Sequence, residues 1–424
     1  MNALFIRNGR VVDPSQNLDA TVHVRVENGR IAALGPDIAP PPEATIFDAQ
    51  GLVVAPGFID LHVHLREPGQ TAKETIATGT SAAAAGGFTA VCCMANTSPV
   101  NDSPLVTRYI LDRVRESAAV RVYPIGAVTK GLEGTALAEI GGMVEAGIVA
   151  VSDDGHSIGN AQLMRRALEY ASDFGIPVID HCENKDLAAG GVINEGYYST
   201  LLGLRGMTRA AEEVDVARDI VLAELTGAHV HIAHLSTAGS LKLVRRAQAE
   251  GLRVTCEVTP HHLTLTDAFT EHYEPNAKMN PPLRTQRDVD ALLEGVADGT
   301  VSAIATDHAP HGALEKAQVP AHSPFGVIGL ESAVSLMIDR LYHAKLITLT
   351  RLIELFSTGP ARAFRLPGGS LSVGTPADIT ILSLDQPVVV AAQTWRSKSR
   401  NTPFDGWTLT GKPMATFVNG RQVA

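Results

Sequence analysis

Gly57-Phe58-Ile59-Asp60-Leu61-His62-Val63-His64-Leu65-Arg66 is a short apolar run that ends in charge. Residues 58–62 have the length and apolar texture of a buried strand. His62 and His64, two residues apart, leave an extended chain on the same face. Outward from this stretch the pattern repeats. Residues 91–94, 122–125, 149–151, 178–180, 229–233, 254–258 and 303–305 each read as another buried strand. Helical stretches such as 161–174 and 212–225 lie between them. Eight short strands alternating with helices predict a parallel (β/α)8 barrel of the α/β class, with a doubly wound open sheet as the alternative.

Both ends of the chain have a different texture. Residues 4–7, 21–26 and 31–34 are short apolar strands punctuated by Asn8-Gly9 and Asn28-Gly29, the dipeptide that most strongly signals a hairpin. Residues 379–382, 388–390 and 415–418, the last before Asn419-Gly420, repeat the pattern. The predicted organisation is a small β-sandwich domain assembled from 1–56 and 366–424, flanking a barrel over 57–365.

Composition narrows the function. The chain has 424 residues, 45% of them apolar and 19% charged, enough aliphatic side chain for helices packed on a sheet. Its 35 basic and 45 acidic residues leave a net charge of −10, and no stripe gathers Lys and Arg, which argues against a nucleic-acid partner. No stretch of 18 apolar residues suggests a membrane span, and the first residues lack the pattern of a secretory leader, so a cytoplasmic protein is expected. Cys92, Cys93, Cys182 and Cys256 have no CxxC spacing and read as buried thiols rather than a disulfide framework or a thiolate metal site.

In a barrel of this kind the chemistry sits where the strands finish. Strand one ends in His62 and His64, strand four in Asp153-Asp154-Gly155, and strand five in Asp180-His181-Cys182-Glu183. Strand six ends in His234-Leu235-Ser236 and strand eight in Asp307-His308-Ala309-Pro310-His311. Four imidazoles and two carboxylates thus gather on one rim. Nitrogen and oxygen donors without sulfur suit zinc, and also manganese or cobalt. Six candidate ligands exceed one tetrahedral site, which points to two ions.

These motifs carry a resemblance. The opening stretch with Arg66-Glu67-Pro68-Gly69 resembles the signature of the cyclic amidohydrolases, and specifically the dihydroorotases. Met94-Ala95-Asn96-Thr97, Asp153-Asp154-Gly155, His181-Cys182-Glu183, His234-Leu235-Ser236, Asn280-Pro281-Pro282-Leu283-Arg284, Asp307-His308-Ala309-Pro310-His311 and Pro324-Phe325-Gly326 agree with it in order along the barrel. The ordering of Arg66-Glu67-Pro68-Gly69 and then Asn280-Pro281-Pro282-Leu283-Arg284 resembles the long, class I bacterial type. The resemblance implies a dinuclear zinc site, with His62, His64 and Asp307 on one ion, His181 and His234 on the other, and a hydroxide between them. Many relatives bridge their metals with a carboxylated lysine at the end of strand four. Between Gly131 and Asn184 this chain has no lysine, and Asp154, 27 residues before His181, resembles the aspartate bridge of some class I enzymes. Asp153 is the competitor for that role, and Lys130 a remoter one.

The implied reaction is the reversible, zinc-dependent hydrolysis of L-dihydroorotate to N-carbamoyl-L-aspartate in de novo pyrimidine biosynthesis, with Asp307 as the proton carrier. A ring carboxylate calls for a fixed cation, and Arg66 supplies a bidentate one. The resemblance adds His64, Asn96, Asn280, His311 and the Phe325-Gly326 backbone as further substrate contacts. The plainer readings are Arg66 in a surface ion pair, Asn280 as a turn residue and His311 as a solvated loop residue. His229, His231, His261, His262 and Asp60 are expected to support the site rather than ligate. Residues 312–324 read as a mobile loop over the mouth. A homodimer and a complex with aspartate transcarbamoylase are the partners implied. The competing functions are a hydantoinase or allantoinase, or a non-catalytic partner of that transferase.

Overall fold

The computed structural model describes residues 3–424. Eight parallel strands form its centre: β1 (Phe58–Val63), β2 (Phe88–Cys93), β3 (Arg121–Gly126), β4 (Ala150–Ser152), β5 (Val178–Asp180), β6 (Val230–Ile232), β7 (Val254–Val258) and β8 (Ala303–Ile304). Each pairs with the next in sequence order. The ring closes where Val63 bridges His308 and the His64 amide donates to the His308 carbonyl at 2.9 Å. Asp60 fastens that seam, accepting from the Thr306 amide at 3.1 Å and its hydroxyl at 2.6 Å. A doubly wound open sheet has no such closure, so the barrel reading holds.

The helices follow from local sequence. Ala161–Asp173 begins at Asn160, whose side chain accepts from the Gln162 and Leu163 amides, and it buries Met164, Ala167, Leu168 and Ala171 at helical spacing. Ala210–Thr226 ends at Gly227 in the left-handed region, where glycine carries no Cβ penalty. Between strands and helices Phe58 packs on Phe356 at 5.3 Å and Phe88 on Phe356 at 5.9 Å, and truncating one such ring costs about 3–5 kcal/mol. A separate cluster of Ile59, Leu61, Ala90, Cys92, Ile125, Ala150 and Ile179 is joined by Phe364, at the end of the helix Thr358–Phe364, and by Leu366 just beyond it.

The two termini meet in one curled sheet. Leu4–Asp13 pairs antiparallel with Leu18–Glu27, and parallel with Thr45–Asp48 along its first half and with Val53–Pro56 along its second. Val53–Pro56 pairs in turn with Ile379–Val389, which continues to Thr408–Val418. The sheet closes over Leu4, Ile6, Val24, Val26, Ile379 and Phe417. Only Gly57 separates its strand Val53–Pro56 from β1.

One turn prediction is corrected. Asn28-Gly29 and Asn419-Gly420 do turn the chain, but Asn8-Gly9 lies inside the continuous strand Leu4–Asp13. There Asn8 takes a φ of 61° and the register shifts between Ile6 and Gly9, a bulge rather than a hairpin. A Cβ on Gly9 would meet Val54 Cγ2 at 2.4 Å, so a contact from a distant strand selects the glycine.

Candidate active site at the barrel mouth

A cleft of about 210 Å³ opens where the barrel strands end, lined by His64, Arg66, Asn96, Asp154, His181, His234, Asn280, Asp307, His311, Phe325 and Gly326. His62 is fully buried against it. Asp154 occupies the centre of the histidines. Its Oδ1 lies 3.3 Å from His62 Nε2, 3.7 Å from His181 Nδ1 and 3.6 Å from His234 Nε2, and its Oδ2 lies 3.5 Å from His64 Nε2. Asp307 Oδ1 approaches His64 Nε2 at 3.1 Å and His62 Nε2 at 3.5 Å. His181 Nδ1 and His234 Nε2 face each other at 2.9 Å.

The outward sides of these rings fix their tautomers. His62 Nδ1 donates to Glu257 at 2.7 Å, His64 Nδ1 to Asn96 Oδ1 at 2.9 Å, and His181 Nε2 to Glu183 at 3.2 Å. Each ring therefore turns its other nitrogen, a lone pair, toward the carboxylates. Lone pairs facing carboxylate oxygens repel unless a cation stands between them. The buried His62 Nε2 and Asp154 Oδ1 have no hydrogen-bond partner, as a pair of metal ligands would. His62, His64 and Asp307, and likewise His62, Asp154 and His234, bring ligand atoms within 4.8 Å of one another. The donor set and its orphaned atoms fit a metal site. Burial works against charge here, yet Asp154 and Asp307 hold His62 well above its ordinary range, and His62 holds Asp154 well below the usual carboxylate range: the two carboxylates demand positive charge at His62 Nε2, which a proton supplies in the ion-free protein and a metal would supply in its place.

Asp153 points elsewhere. It accepts from the Val128 amide at 2.8 Å, the Thr129 amide at 2.9 Å and the Thr129 hydroxyl, so it shapes the loop after β3. Lys130 is exposed and lies outside the cleft lining.

Arg66 is 8% exposed, which removes the surface ion-pair reading. Its Nε donates to the Pro310 carbonyl at 3.2 Å, leaving most of the guanidinium fork to the cleft. Burial lowers it to about 10 while Asp307 and Asp154 support it, so it stays a cation at neutral pH. His311, also 8% exposed, donates through Nε2 to the Phe325 carbonyl at 2.7 Å, and its Nδ1 is buried without a partner. Burial and Arg66 push it down to about 2, so the ring is neutral. Gly326, at a φ of 114°, admits no Cβ, which would meet Ala309 Cβ at 2.6 Å. The Asn280 amide donates to Glu183, the partner of His181. Arg66, His234 and Asp307 all sit at positive φ, a backbone state that costs of order 1–3 kcal/mol and gathers at functional sites.

His231 and His262 stand behind the site, whereas His229 lines a cavity at the opposite end of the barrel. His262 Nε2 donates to the Pro281 carbonyl at 2.9 Å, and His231 contacts Glu257 at 3.3 Å. Three supports were missed. Glu257, held down to about 2 by His231 and His62 against burial, had a visible signal as the one charge in an apolar strand. Glu183 stood in a quoted motif without a role. Asn401 left no trace: from between two strands of the terminal sheet it reaches the mouth, donating to the Ala309 and Gly326 carbonyls at 3.0 and 3.1 Å. The 312–324 segment contains a helical turn, Ala313–Lys316, and is pinned: Lys316 Nζ donates to the Lys278, Pro324 and Gly326 carbonyls.

Comparison with known proteins agrees with this geometry. Residues 51–240 match a family model described as Dihydro-orotase-like. A protein of Solibacter usitatus named dihydroorotase is 52% identical over 98% of this chain and 97% of its own, and one of Syntrophotalea carbinolica with the same name is 50% identical over 99% and 98%. Among solved structures, an L-hydantoinase (dihydropyrimidinase) from Arthrobacter aurescens superposes with a TM-score of 0.91 at 26% identity, covering 100% of this chain and 96% of that one. Half the residues shared along the full length, with the histidine and aspartate motifs on one rim, make this chain a member of the dihydroorotase family.

Proposed function

We infer that this protein is a dihydroorotase, a hydrolase of cyclic amides that interconverts L-dihydroorotate and N-carbamoyl-L-aspartate in de novo pyrimidine formation. The observation that carries this reading is the buried Arg66 cation sharing one cleft with the histidine–aspartate cluster. A hydantoinase-type reading draws on the fold likeness. Against it stand Arg66, which a ring without a carboxylate does not need, and Asp154 where no lysine is near.

His62, His64 and Asp307 would hold one zinc ion, His181 and His234 a second, and Asp154 would bridge the two. When bound, such ions polarise an amide carbonyl and bring the pKa of water from 15.7 toward about 7. The protein's own groups do the rest. Glu257, Asn96 and Glu183 keep three imidazoles in the tautomer that presents a lone pair inward. Arg66 grips the substrate carboxylate, with the Asn96 amide beside it. The unpartnered Nδ1 of His311 is a lone pair, suited to a ring N–H. Asn280 and the Phe325-Gly326 wall complete the ring pocket. Asp307 takes a proton from the attacking water and returns it to the departing ring nitrogen.

Residues 1–56 with 366–424 act as the flanking β domain and 57–365 as the catalytic barrel. No helix among the described residues is long and apolar enough to cross a membrane, and we place the enzyme in the cytoplasm. A homodimer and association with aspartate transcarbamoylase follow from the family reading.

The test compares dihydroorotate with dihydrouracil, the same ring without its carboxylate. Turnover of dihydroorotate with dihydrouracil nearly inert, and a narrowed gap in Arg66→Met, is expected. Equal turnover of both rings would refute the assignment.

A further inference from the structure

A second cavity, of about 480 Å³ and larger than the mouth cleft, lies at the opposite end of the barrel where β6 and β7 begin. Its walls carry Arg253, Arg351, Arg362 and Arg365 against Asp298 and Glu354. The two carboxylates are already engaged. Glu354 pairs with Arg351 at 2.8 Å and Arg362 at 2.9 Å, and Asp298 pairs with Arg245 at 2.6 Å. Arg253, just before β7, and Arg365, just after the helix Thr358–Phe364, stand outside the ion pairs of the described residues. His229 on the same wall registers both: burial first, then His231 and these two guanidiniums, push its imidazole down to about 3. The walls thus hold an excess of two positive charges in a chain of net charge −10.

Arg253 and Arg365 are solvent-exposed, and guanidiniums without an acidic partner around a concave volume favour an anion there. The guanidinium fork matches phosphate in two parallel hydrogen bonds, and a phosphate monoester carries about −1.5 to −2 at pH 7, which matches the excess. The volume lies within the range of about 300–1,000 Å³ typical of small-molecule sites, more than a bare ion needs. We propose that this cavity binds a phosphate-bearing small molecule of nucleoside-monophosphate size. Arg253 and Arg365 hold the phosphate, and Leu252 and Ala297 face the remainder.

Calorimetric titration of the full chain with adenosine 5′-monophosphate, inorganic phosphate and malate tests this. Saturable one-to-one binding of the monophosphate, weaker binding of inorganic phosphate and none of malate is expected. Arg253→Ala/Arg365→Ala should weaken the monophosphate by at least about tenfold, the loss expected for charged hydrogen bonds, with the ligand-free melting midpoint unchanged. Saturating monophosphate should raise the parent's midpoint and not the variant's. No saturable binding, equal binding in the variant, malate as tight as the monophosphate, inorganic phosphate tighter than it, or displacement by dihydroorotate would each overturn the proposal. Dihydroorotate turnover in the same preparations reports separately on the mouth site.

Discussion

Glu257→Leu tests whether the support behind His62 matters as the geometry requires. Glu257 is the shared acceptor of two buried imidazoles, at 2.7 Å from His62 Nδ1 and 3.3 Å from His231 Nε2. From His231 the contacts continue through Thr255 Oγ1 to His229, each at 2.8 Å. Leucine fills similar space but leaves the His62 donor buried and unmet, at about 1–3 kcal/mol, and frees the ring to turn its lone pair away from Asp154. Loss of such an outer partner typically weakens a metal site 10–100-fold, or about 1.4–2.8 kcal/mol. Glu257→Gln is milder, because its amide oxygen accepts from His62 while its NH2 donates to His231 in the other tautomer; about tenfold or less is expected. Competition with a chromogenic zinc chelator reads the affinity directly, and melting curves of the metal-free proteins separate it from stability. Wild-type affinity in Glu257→Leu, or a larger loss in Gln than in Leu, would refute the reasoning.

Other outcomes follow from the same geometry. Asp154→Asn should lose bound metal and turnover while Asp153→Asn keeps both, as metal analysis of the two purified variants would register. Arg66→Lys should raise KM for dihydroorotate by about 10–100-fold with a smaller change in kcat, since an ammonium cannot reproduce the bidentate fork. Burial and Lys278 push Lys316 down to about 7, whereas the unfolded chain holds that proton to about 10.4. The unfolded state therefore binds more protons between these values, and this group makes stability rise with pH across that window. Lys316→Met should flatten the dependence of melting midpoint on pH between about 7 and 9.5, and speed proteolysis within 312–326.

The barrel was legible because its strands are short apolar runs separated by helical stretches, and five of the eight, the first, fourth, fifth, sixth and eighth, run directly into His or Asp at the rim. His62, His64, Asp154, His181, His234 and Asp307 meet because of that regularity. What escaped notice depends on contacts between distant segments. Asn8-Gly9 has a hairpin's sequence, and only the packing of Val54 makes it a bulge. Asn401 lies 90 residues from His311, whose amide donates to it at 3.2 Å, and no local pattern announces such a return. Asp153 and Asp154 are adjacent acids that sequence could not fully separate. The Val128 and Thr129 donors on the neighbouring loop claim the first and leave the second to the histidines.

The most direct measurement is hydrolysis of L-dihydroorotate by the purified protein beside hydantoin and allantoin, with metal counted in the same sample. Turnover of dihydroorotate alone, with about two zinc ions per chain, is the predicted result. A fully metal-loaded sample that leaves dihydroorotate untouched, or prefers hydantoin, would contradict the account.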